Sequence, residues 1–369
     1  MNNNGIGPIP PAEYEARARA VREGLAERKL DALLVSNGPN LRYLTGFTGD
    51  NANLLISEAA GALLVTDPRY RIQAAREVSC AVEIAEGPVA VEVGEAIRRQ
   101  GVTRIGFEPA RITYEAYQGL VPRLPLHAEA VGAGGWIEGL RMVKSVAELA
   151  LIRRAVGISS KAFEQVAAKV RAGMKESDLA AELEFRMRRL GAEKPSFETI
   201  VAAGERSALP HAQPTAGRLC EASLVVVDMG AFHQGYASDM TRMLFVGKPG
   251  PKVKRAYRAV LEAQLAAIDA VKAGRPTAAV DRAARRVLTG YGLERAFVHS
   301  TGHGLGLEIH EPPRLGRRDK KRLEAGMAVT IEPGVYLEGW GGIRIEDTVV
   351  VTKTGCEVLT PTSKELRVV

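Results

Sequence analysis

An internal repeat is the feature that most narrows what this chain can fold into. Ala172-Gly173 and Ala273-Gly274 each close one long helical pattern and open another. The second helix of each pair runs out at a glycine, Gly191 or Gly292, 18 residues further on in both copies, and the copies are offset by 101 residues. A strand-rich section follows each helix pair. Residues 224–230 (LVVVDMG) in one half answer residues 328–334 (AVTIEPG) in the other: an apolar run, a carboxylate, and a glycine two residues later. A second carboxylate follows on the expected returning strand, Asp239 in the first half and Glu346 in the second. One such pair is an easy accident. Two in register predict two αα-hairpin units, each presenting a carboxylate pair from a β-hairpin, related by pseudo-twofold symmetry.

Four carboxylates converging on one point repel each other and cannot all stay ionised without compensation. Divalent cations supply it, and an oxygen-rich set with one imidazole suits Mn²⁺, Co²⁺, Fe²⁺ or Zn²⁺. Five of the six histidines (His211, His233, His299, His303 and His310) fall within one 100-residue window. His303 is the best ligand candidate, because Gly302 and Gly304 let the backbone pass close to a crowded site. Each residue alone has a plainer explanation. Asp228 suits a strand-to-turn junction, Asp239 an Asx turn, and Glu332, before Pro333, an exposed strand end. Glu346, with Arg344 two residues back, suits an ion pair on one side of a central strand; His211 and His310 suit surface loops, and His299 a hydrogen bond within its glycine loop. Jointly, in repeat-matched positions, the metal reading is favoured.

The rest of the chain sets the frame. With 369 residues, 46% hydrophobic and 25% charged, it is long enough for two domains with their own cores, and intrinsic disorder is excluded. No run approaches the roughly 20 apolar residues of a membrane span. The start, Met1-Asn2-Asn3-Asn4-Gly5 with Pro8, Pro10 and Pro11, lacks the basic and apolar regions of a secretory signal. Cys80, Cys220 and Cys356, odd in number and far apart, exclude a disulfide scaffold and a cysteine zinc site, and the cytoplasm fits best. The net charge of +7 invites a nucleic-acid reading, but Arg17, Arg19, Arg22, Arg28 and Lys29 read as solvated helix faces. Residues 13–30 predict an amphipathic helix with Val21, Leu25 and Leu30 on one side, followed by strands near 32–35, 53–56 and 62–65. The small-residue stretch 131–135 marks a boundary. The expected domains are an α/β unit over 12–135, a scaffold with no dense set of polar residues of the kind chemistry requires, and an α+β catalytic unit over 140–369.

At these residues the chain resembles the pita-bread (M24-type) metallopeptidases, which include Xaa-Pro aminopeptidase, Xaa-Pro dipeptidase (prolidase) and methionine aminopeptidase. The matching segments are 200–215 (IVAAGERSALPHAQPT), 227–241 (VDMGAFHQGYASDMT), 299–313 (HSTGHGLGLEIHEPP) and 330–347 (TIEPGVYLEGWGGIRIED). The first domain resembles the creatinase-type N-terminal domain of the Xaa-Pro enzymes through residues 44–49 (LTGFTG) and 66–70 (TDPRY), which argues against a minimal methionine aminopeptidase.

The resemblance implies two divalent ions, usually manganese or cobalt, with zinc also possible. Asp228 would chelate one, Asp239 and Glu346 would bridge, and His303 and Glu332 would complete the second. No ligand position is replaced, which disfavours creatine amidinohydrolase and ligand-depleted binding relatives. It further implies Glu332 as general base and then acid, His211 and His310 as donors around the reacting carbonyl, and His299 and Arg344 as supporting groups in the substrate pocket. Arg314, eleven residues after His303, matches a position that in some prolidases binds the free carboxylate of a dipeptide, although a structural loop arginine fits nearly as well. The run Arg317, Arg318, Lys320, Lys321 and Arg322 departs from the more acidic loop expected of the family and reads as a solvated turn. The implied substrates are Xaa-Pro dipeptides or peptides with proline second, no nucleic-acid or membrane partner is expected, and a homodimer is common among relatives. Strict dipeptidase and aminopeptidase readings stay open. A catalytically silent binding protein on the same fold is the rival from another class, which metal analysis and an Xaa-Pro peptide assay separate.

Overall fold

The computed structural model describes residues 9–369 and divides into two compact units, one ending at Arg141 and the other running Met142–Val369. Residues 1–8, where the test for a secretory signal falls, lie outside the described residues. No described helix is long and apolar enough to cross a membrane.

The first unit is α/β. Its helices are α1 (Pro11–Glu23), α2 (Gly38–Thr45), α3 (Arg71–Glu77), α4 (Val89–Arg99), α5 (Tyr114–Leu120) and α6 (Trp136–Arg141). Its strands are β1 (Ala32–Val35), β2 (Ala52–Ser57), β3 (Gly61–Thr66), β4 (Ala81–Ile84), β5 (Arg104–Phe107) and β6 (Glu129–Gly132), in spatial order β4-β3-β2-β1-β5-β6. β2 is antiparallel to both β1 and β3, whereas β1–β5, β3–β4 and β5–β6 are parallel. β1 lies inside the sheet, which is why its Ala-Leu-Leu-Val run is buried throughout.

Two expectations fail here, one for a helix and one for a side chain. The helix predicted over 13–30 ends at Glu23, and a separate 3-10 turn, Ala26–Arg28, leads to a left-handed Lys29. Val21, Leu25 and Leu30 are nevertheless all buried. Arg17 is not solvated: it donates to Tyr43 O at 2.9 Å and stacks over the Tyr43 ring at 4.1 Å. Residues 131 and 132 of the small-residue stretch finish β6, and the unit itself ends at Arg141. The unit also contains a buried polar cluster. Glu108 accepts from the backbone of Ser36 and Asn37 and from the Asn40 side chain, while Arg141 donates to Asn40 at 2.6 Å. Its members are dispersed over a hundred residues, so no local spacing reveals them.

The second unit repeats one motif twice. In the first copy, α7 (Val146–Ala167) and α8 (Glu176–Arg189) precede the short β7 (Lys194–Pro195) and then β8 (Ile200–Ala203), β9 (Ser223–Met229), β10 (Ala231–His233), β11 (Tyr236–Ala237) and β12 (Met240–Val246). In the second, α9 (Pro251–Asp269) and α10 (Thr277–Gly290) precede β13 (Gly302–Gly304), β14 (Glu311–Leu315), β15 (Ala328–Ile331), β16 (Gly334–Leu337), β17 (Gly341–Arg344) and β18 (Asp347–Val351). β19 (Cys356–Val358) and β20 (Arg367–Val368) finish the sheets, ordered β20-β12-β9-β8 and β14-β13-β15-β18-β19. β9 and β12 pair antiparallel, as do β15 and β18, and the minor hairpins β10–β11 and β16–β17 occupy equivalent places between them.

The first helix of each pair stops earlier than its pattern predicts, at Ala167 and Asp269, because the following residues turn through left-handed Gly173 and Gly274. The turns match in detail: the N–H of Gly173 donates to Leu219 O at 2.8 Å, and that of Gly274 to Leu323 O at 2.7 Å. The apolar runs of β9 and β12 have a simple cause. Leu224, Val226, Met243 and Phe245 face the core that includes α9 and α10, while Val225, Val227, Leu244 and Val246 face the core that includes α7 and α8. Strands covered on both faces need no polar alternation.

Glycine requirements are sharp near the carboxylates. A Cβ on Gly230 would lie 2.0 Å from Ser238 O and 2.1 Å from Ser196 Oγ, whereas one on Gly157, exposed within α7, would meet nothing within 4 Å. Gly230→Ala should therefore destabilise by about 3 kcal/mol, and Gly157→Ala should stabilise by roughly 0.5–1 kcal/mol. Urea unfolding of the two variants, read with the same probe, checks both signs.

Candidate metal centre and active site

The carboxylates stand where the repeat turns. Asp228 lies on β9 opposite Thr241, and Glu332 directly follows β15; Asp239 and Glu346 occupy the last positions before β12 and β18. The two returning strands meet at this point. The Glu346 N–H donates to Thr241 O at 3.2 Å, and the Thr348 hydroxyl donates to Asp239 O at 3.0 Å. Each half thereby fixes the backbone of the other half's acidic residue.

His303 completes the group from β13. Ligand atoms of Asp239, His303 and Glu346 lie within 4.8 Å of one another. His303 Nε2 is 3.6 Å from Asp239 Oδ2 and 3.3 Å from Glu332 Oε1. Its Nδ1 faces the carbonyl of Gly304 at 3.0 Å, so Nδ1 carries the hydrogen and the Nε2 lone pair points at the carboxylates. Burial lowers the His303 pKa, which keeps the ring neutral and able to ligate.

Burial is also the first cause of raised carboxyl pKa values. Asp239 is pushed well above the ordinary range by burial and then by Asp228 and Glu332. Glu346 is pushed the same way by burial and then by Asp239, Glu332 and Asp228, and burial raises Glu332 too. Two oxygens, Asp228 Oδ1 and Glu346 Oε1, are buried without a hydrogen-bond partner. Buried carboxylate oxygens are ordinarily satisfied. Unsatisfied oxygens beside a neutral imidazole and two further acids fit divalent cations, and Asp239, His303 and Glu346 are close enough together to share one.

A hydrogen-bonded chain orders one wall. Arg344 Nη2 donates to Asp228 Oδ2 at 2.6 Å, and Nη1 to the Tyr336 hydroxyl at 2.7 Å. That hydroxyl lies 2.9 Å from His299 Nε2. Because His299 Nδ1 faces Ser300 O at 2.8 Å, Nε2 is the acceptor and Tyr336 the donor. The Arg344–Glu346 ion pair that was the plainer explanation of Glu346 gives way to this bond with Asp228. Adjacent strand positions two apart share a face, but β17 ends at Arg344, and the chain turns before Glu346, which takes its hydrogen bond from Thr241 at 2.7 Å.

All ten residues singled out from the sequence line one cavity of about 750 Å³. His310 packs edge-on against His303 with ring centres 4.4 Å apart, and burial, followed by His303, lowers its pKa. His211 is exposed in the loop after β8. Arg314 is exposed on β14, in register with His303. His233 is not among the lining residues; its Nδ1 sits 3.0 Å from Gly191 O.

The loop histidines are held by buried acids. Glu176, at the start of α8, accepts from the N–H groups of Ala203 and Thr215 at 2.8 and 3.0 Å, bracketing the His211 loop. Glu311 pairs with Lys144 at 3.1 Å beside His310. Asp281 of α10 binds Arg285 at 2.7 Å, and Arg285 donates to His299 O at 2.6 Å. Sequence reasoning missed these acids, and it missed Thr241, Thr330 and Tyr336. The threonine and tyrosine signal was present in the matching segments: Thr330 stands two residues before Glu332, whose carboxylate its hydroxyl reaches at 3.1 Å. The basic run is partly engaged, Arg317 with Glu294 and Arg322 with Gly274 O.

The raised carboxyls give a pH test. In chelated protein, Asp239 and Glu346 hold protons that the unfolded chain releases near pH 4. Their contribution to stability is full below the unfolded pKa and disappears as pH rises through the raised folded values. Manganese competes with those protons. The gain in Tm on adding Mn²⁺ should therefore grow between about pH 5 and about pH 8 by calorimetry; a gain constant across that interval would remove these carboxyls from the ligand set.

Comparison with known proteins agrees with this geometry. Residues 150–353 match the model for Metallopeptidase family M24, and residues 17–143 match the Creatinase/Prolidase N-terminal domain. A protein named Xaa-Pro dipeptidase from Pyrococcus horikoshii is 36% identical over 95% of this chain and 98% of its own length. The solved structure of an Xaa-Pro dipeptidase from Bacillus anthracis superposes with a TM-score of 0.93 at 39% identity, covering 98% of this chain and all of that one. That of an X-Pro aminopeptidase from Thermotoga maritima gives 0.89 at 35% identity, covering 96% and 100%. With an acid-lined cavity in a twice-repeated fold and these matches across nearly its whole length, the chain belongs to metallopeptidase family M24, its pita-bread unit preceded by a creatinase-type N-terminal domain.

Proposed function

We propose that this protein hydrolyses the Xaa-Pro bond of dipeptides, using two divalent ions held by Asp228, Asp239, His303, Glu332 and Glu346. The observation that carries the reading is the buried carboxylate group with two unsatisfied oxygens at the wall of a peptide-sized cavity. Manganese or cobalt suits so oxygen-rich a set. When bound, such ions supply Lewis acidity toward water and a peptide carbonyl.

The chain's own groups do the rest. Glu332, whose pKa burial has raised and whose Oε1 accepts from Thr330, takes a proton from the attacking water and returns it to the proline nitrogen as the C–N bond breaks. His310 and His211 donate hydrogen bonds around the carbonyl oxygen as it gains charge. Arg344 and Tyr336 hold Asp228 and His299 in place. An Xaa-Pro bond has no N–H, and the fixed φ of proline spoils extended binding. Phe197, Ile200 and Pro312 offer the ring an apolar wall that asks for no such donor. Arg314, exposed in the cavity and with no side-chain hydrogen bond or ion pair among the described residues, receives the free carboxylate of the dipeptide. The names of the Pyrococcus horikoshii and Bacillus anthracis relatives support the dipeptidase choice.

Glu332→Gln should lower kcat by about 10²-fold or more in single-turnover assays, and near-normal turnover in a folded, metal-loaded variant would sink the proton-relay role. Arg314→Ala should cut kcat/KM on an Xaa-Pro dipeptide about tenfold more than on an Xaa-Pro-Xaa tripeptide. Equal losses, or native preference for the tripeptide, would favour the aminopeptidase reading.

A further inference from the structure

Arg242 is the residue on which both halves of the repeat and the end of the chain converge. It lies on β12, three residues after Asp239, and is only 1% exposed. A guanidinium carries five N–H donors in a rigid fork, and here every one has an acceptor. Nε donates to Ser363 O at 2.9 Å. Nη1 donates to Thr241 O at 2.9 Å and Glu346 O at 2.5 Å. Nη2 donates to Asp347 Oδ1 at 2.7 Å and Thr362 O at 2.8 Å.

Those acceptors fall into two groups. Thr241 O and Glu346 O belong to the crossing point of the two returning strands, where the Thr241 hydroxyl orients the Glu346 carboxylate. The carbonyls of Thr362 and Ser363 belong to the C-terminal segment. Asp347, fully buried, balances the arginine's charge and binds the segment a second time through Lys364 Nζ at 2.6 Å. Further along, the segment adds β20 to the edge of β12, with Leu244 opposite Arg367. A buried arginine merely tying down a chain end would need only the second group, and one merely bracing the hairpins would need only the first.

We propose that Arg242 is a positioning residue for the metal centre, coupling order in the C-terminal segment to ion occupancy through the backbones of Thr241 and Glu346. The inference rests on the metal reading above. Coupling of this kind is reciprocal. If the ordered segment helps hold Glu346 in place, a bound ion must tighten the segment by the same free energy.

The test uses the full native chain and Mn²⁺ alone, without substrate. Amide hydrogen exchange is followed for residues 359–369 and, as an internal reference, for α7, with and without the ion. Exchange in 359–369 should slow tenfold or more beyond any change in α7. General stabilisation of the fold would slow both segments alike, and that outcome, or no change in 359–369 while Mn²⁺ is bound, overturns the proposal. Lysine has three donors on a flexible stem and cannot span the five acceptors. Arg242→Lys should therefore weaken Mn²⁺ binding at least tenfold by equilibrium dialysis while circular dichroism stays native. A folded variant with native Mn²⁺ affinity also overturns the proposal, and if the variant does not fold, the exchange experiment on the native chain decides. A native chain that takes up no Mn²⁺ is a different result: it removes the metal reading and this inference with it.

Discussion

Mutual repulsion among buried carboxylates is the constraint around which the catalytic unit is built. Asp228, Asp239, Glu332 and Glu346 share one wall of a cavity, and burial and proximity push the carboxyls of Asp239 and Glu346 far from their ordinary range. A fold that only needed stability would place apolar side chains there, because unpaired buried charge is costly. Retaining the acids makes sense where a cation completes them. The partial compensation within the chain follows the same logic: Arg344 neutralises Asp228, and Thr241 and Thr330 each satisfy one oxygen of a neighbouring glutamate.

Precision in such a group comes from duplication. Two αα-hairpins each cover one face of the central strands, and the strand pairs cross where their acids sit, so that Thr241 and Glu346, and likewise Thr348 and Asp239, fix each other's backbone. Neither half can assemble the site alone. The histidines around it sit on loops, which by themselves would be mobile. Each loop is anchored by a buried acid, Glu176 for His211, Glu311 for His310 and Asp281, through Arg285, for His299. Side chains on irregular backbone are thereby tied to regular elements, α8 for His211, β14 for His310 and α10 for His299.

Much of this was legible in the sequence because it is periodic or local. The repeat at an offset of 101 residues announced the paired helices, and the apolar runs ending in Asp228 and Glu332 announced the strands. Helix lengths were overestimated where polar and small residues continue an acceptable pattern past the real end. After Ala167 and Asp269 the chain satisfies its backbone in turns bonded to Leu219 and Leu323 instead, partners far away in sequence. Arg17 shows the same limit in the first unit. Its helical spacing suggests a solvated face, yet the ring and carbonyl of Tyr43, 26 residues on, bury it.

The chain's sequence by itself determined which chemical groups are available and that they come in matched pairs, since residue type and spacing survive any folding of the backbone. Tertiary structure alone decided which oxygen faces which donor. Arg344 stands two residues from Glu346 but bonds Asp228, 116 residues away. Arg242 saturates all its donors on acceptors drawn from three separate stretches of chain. Such choices depend on where strands cross and chain ends return, and a hydrogen bond is too short-ranged and directional to be read from order along the chain.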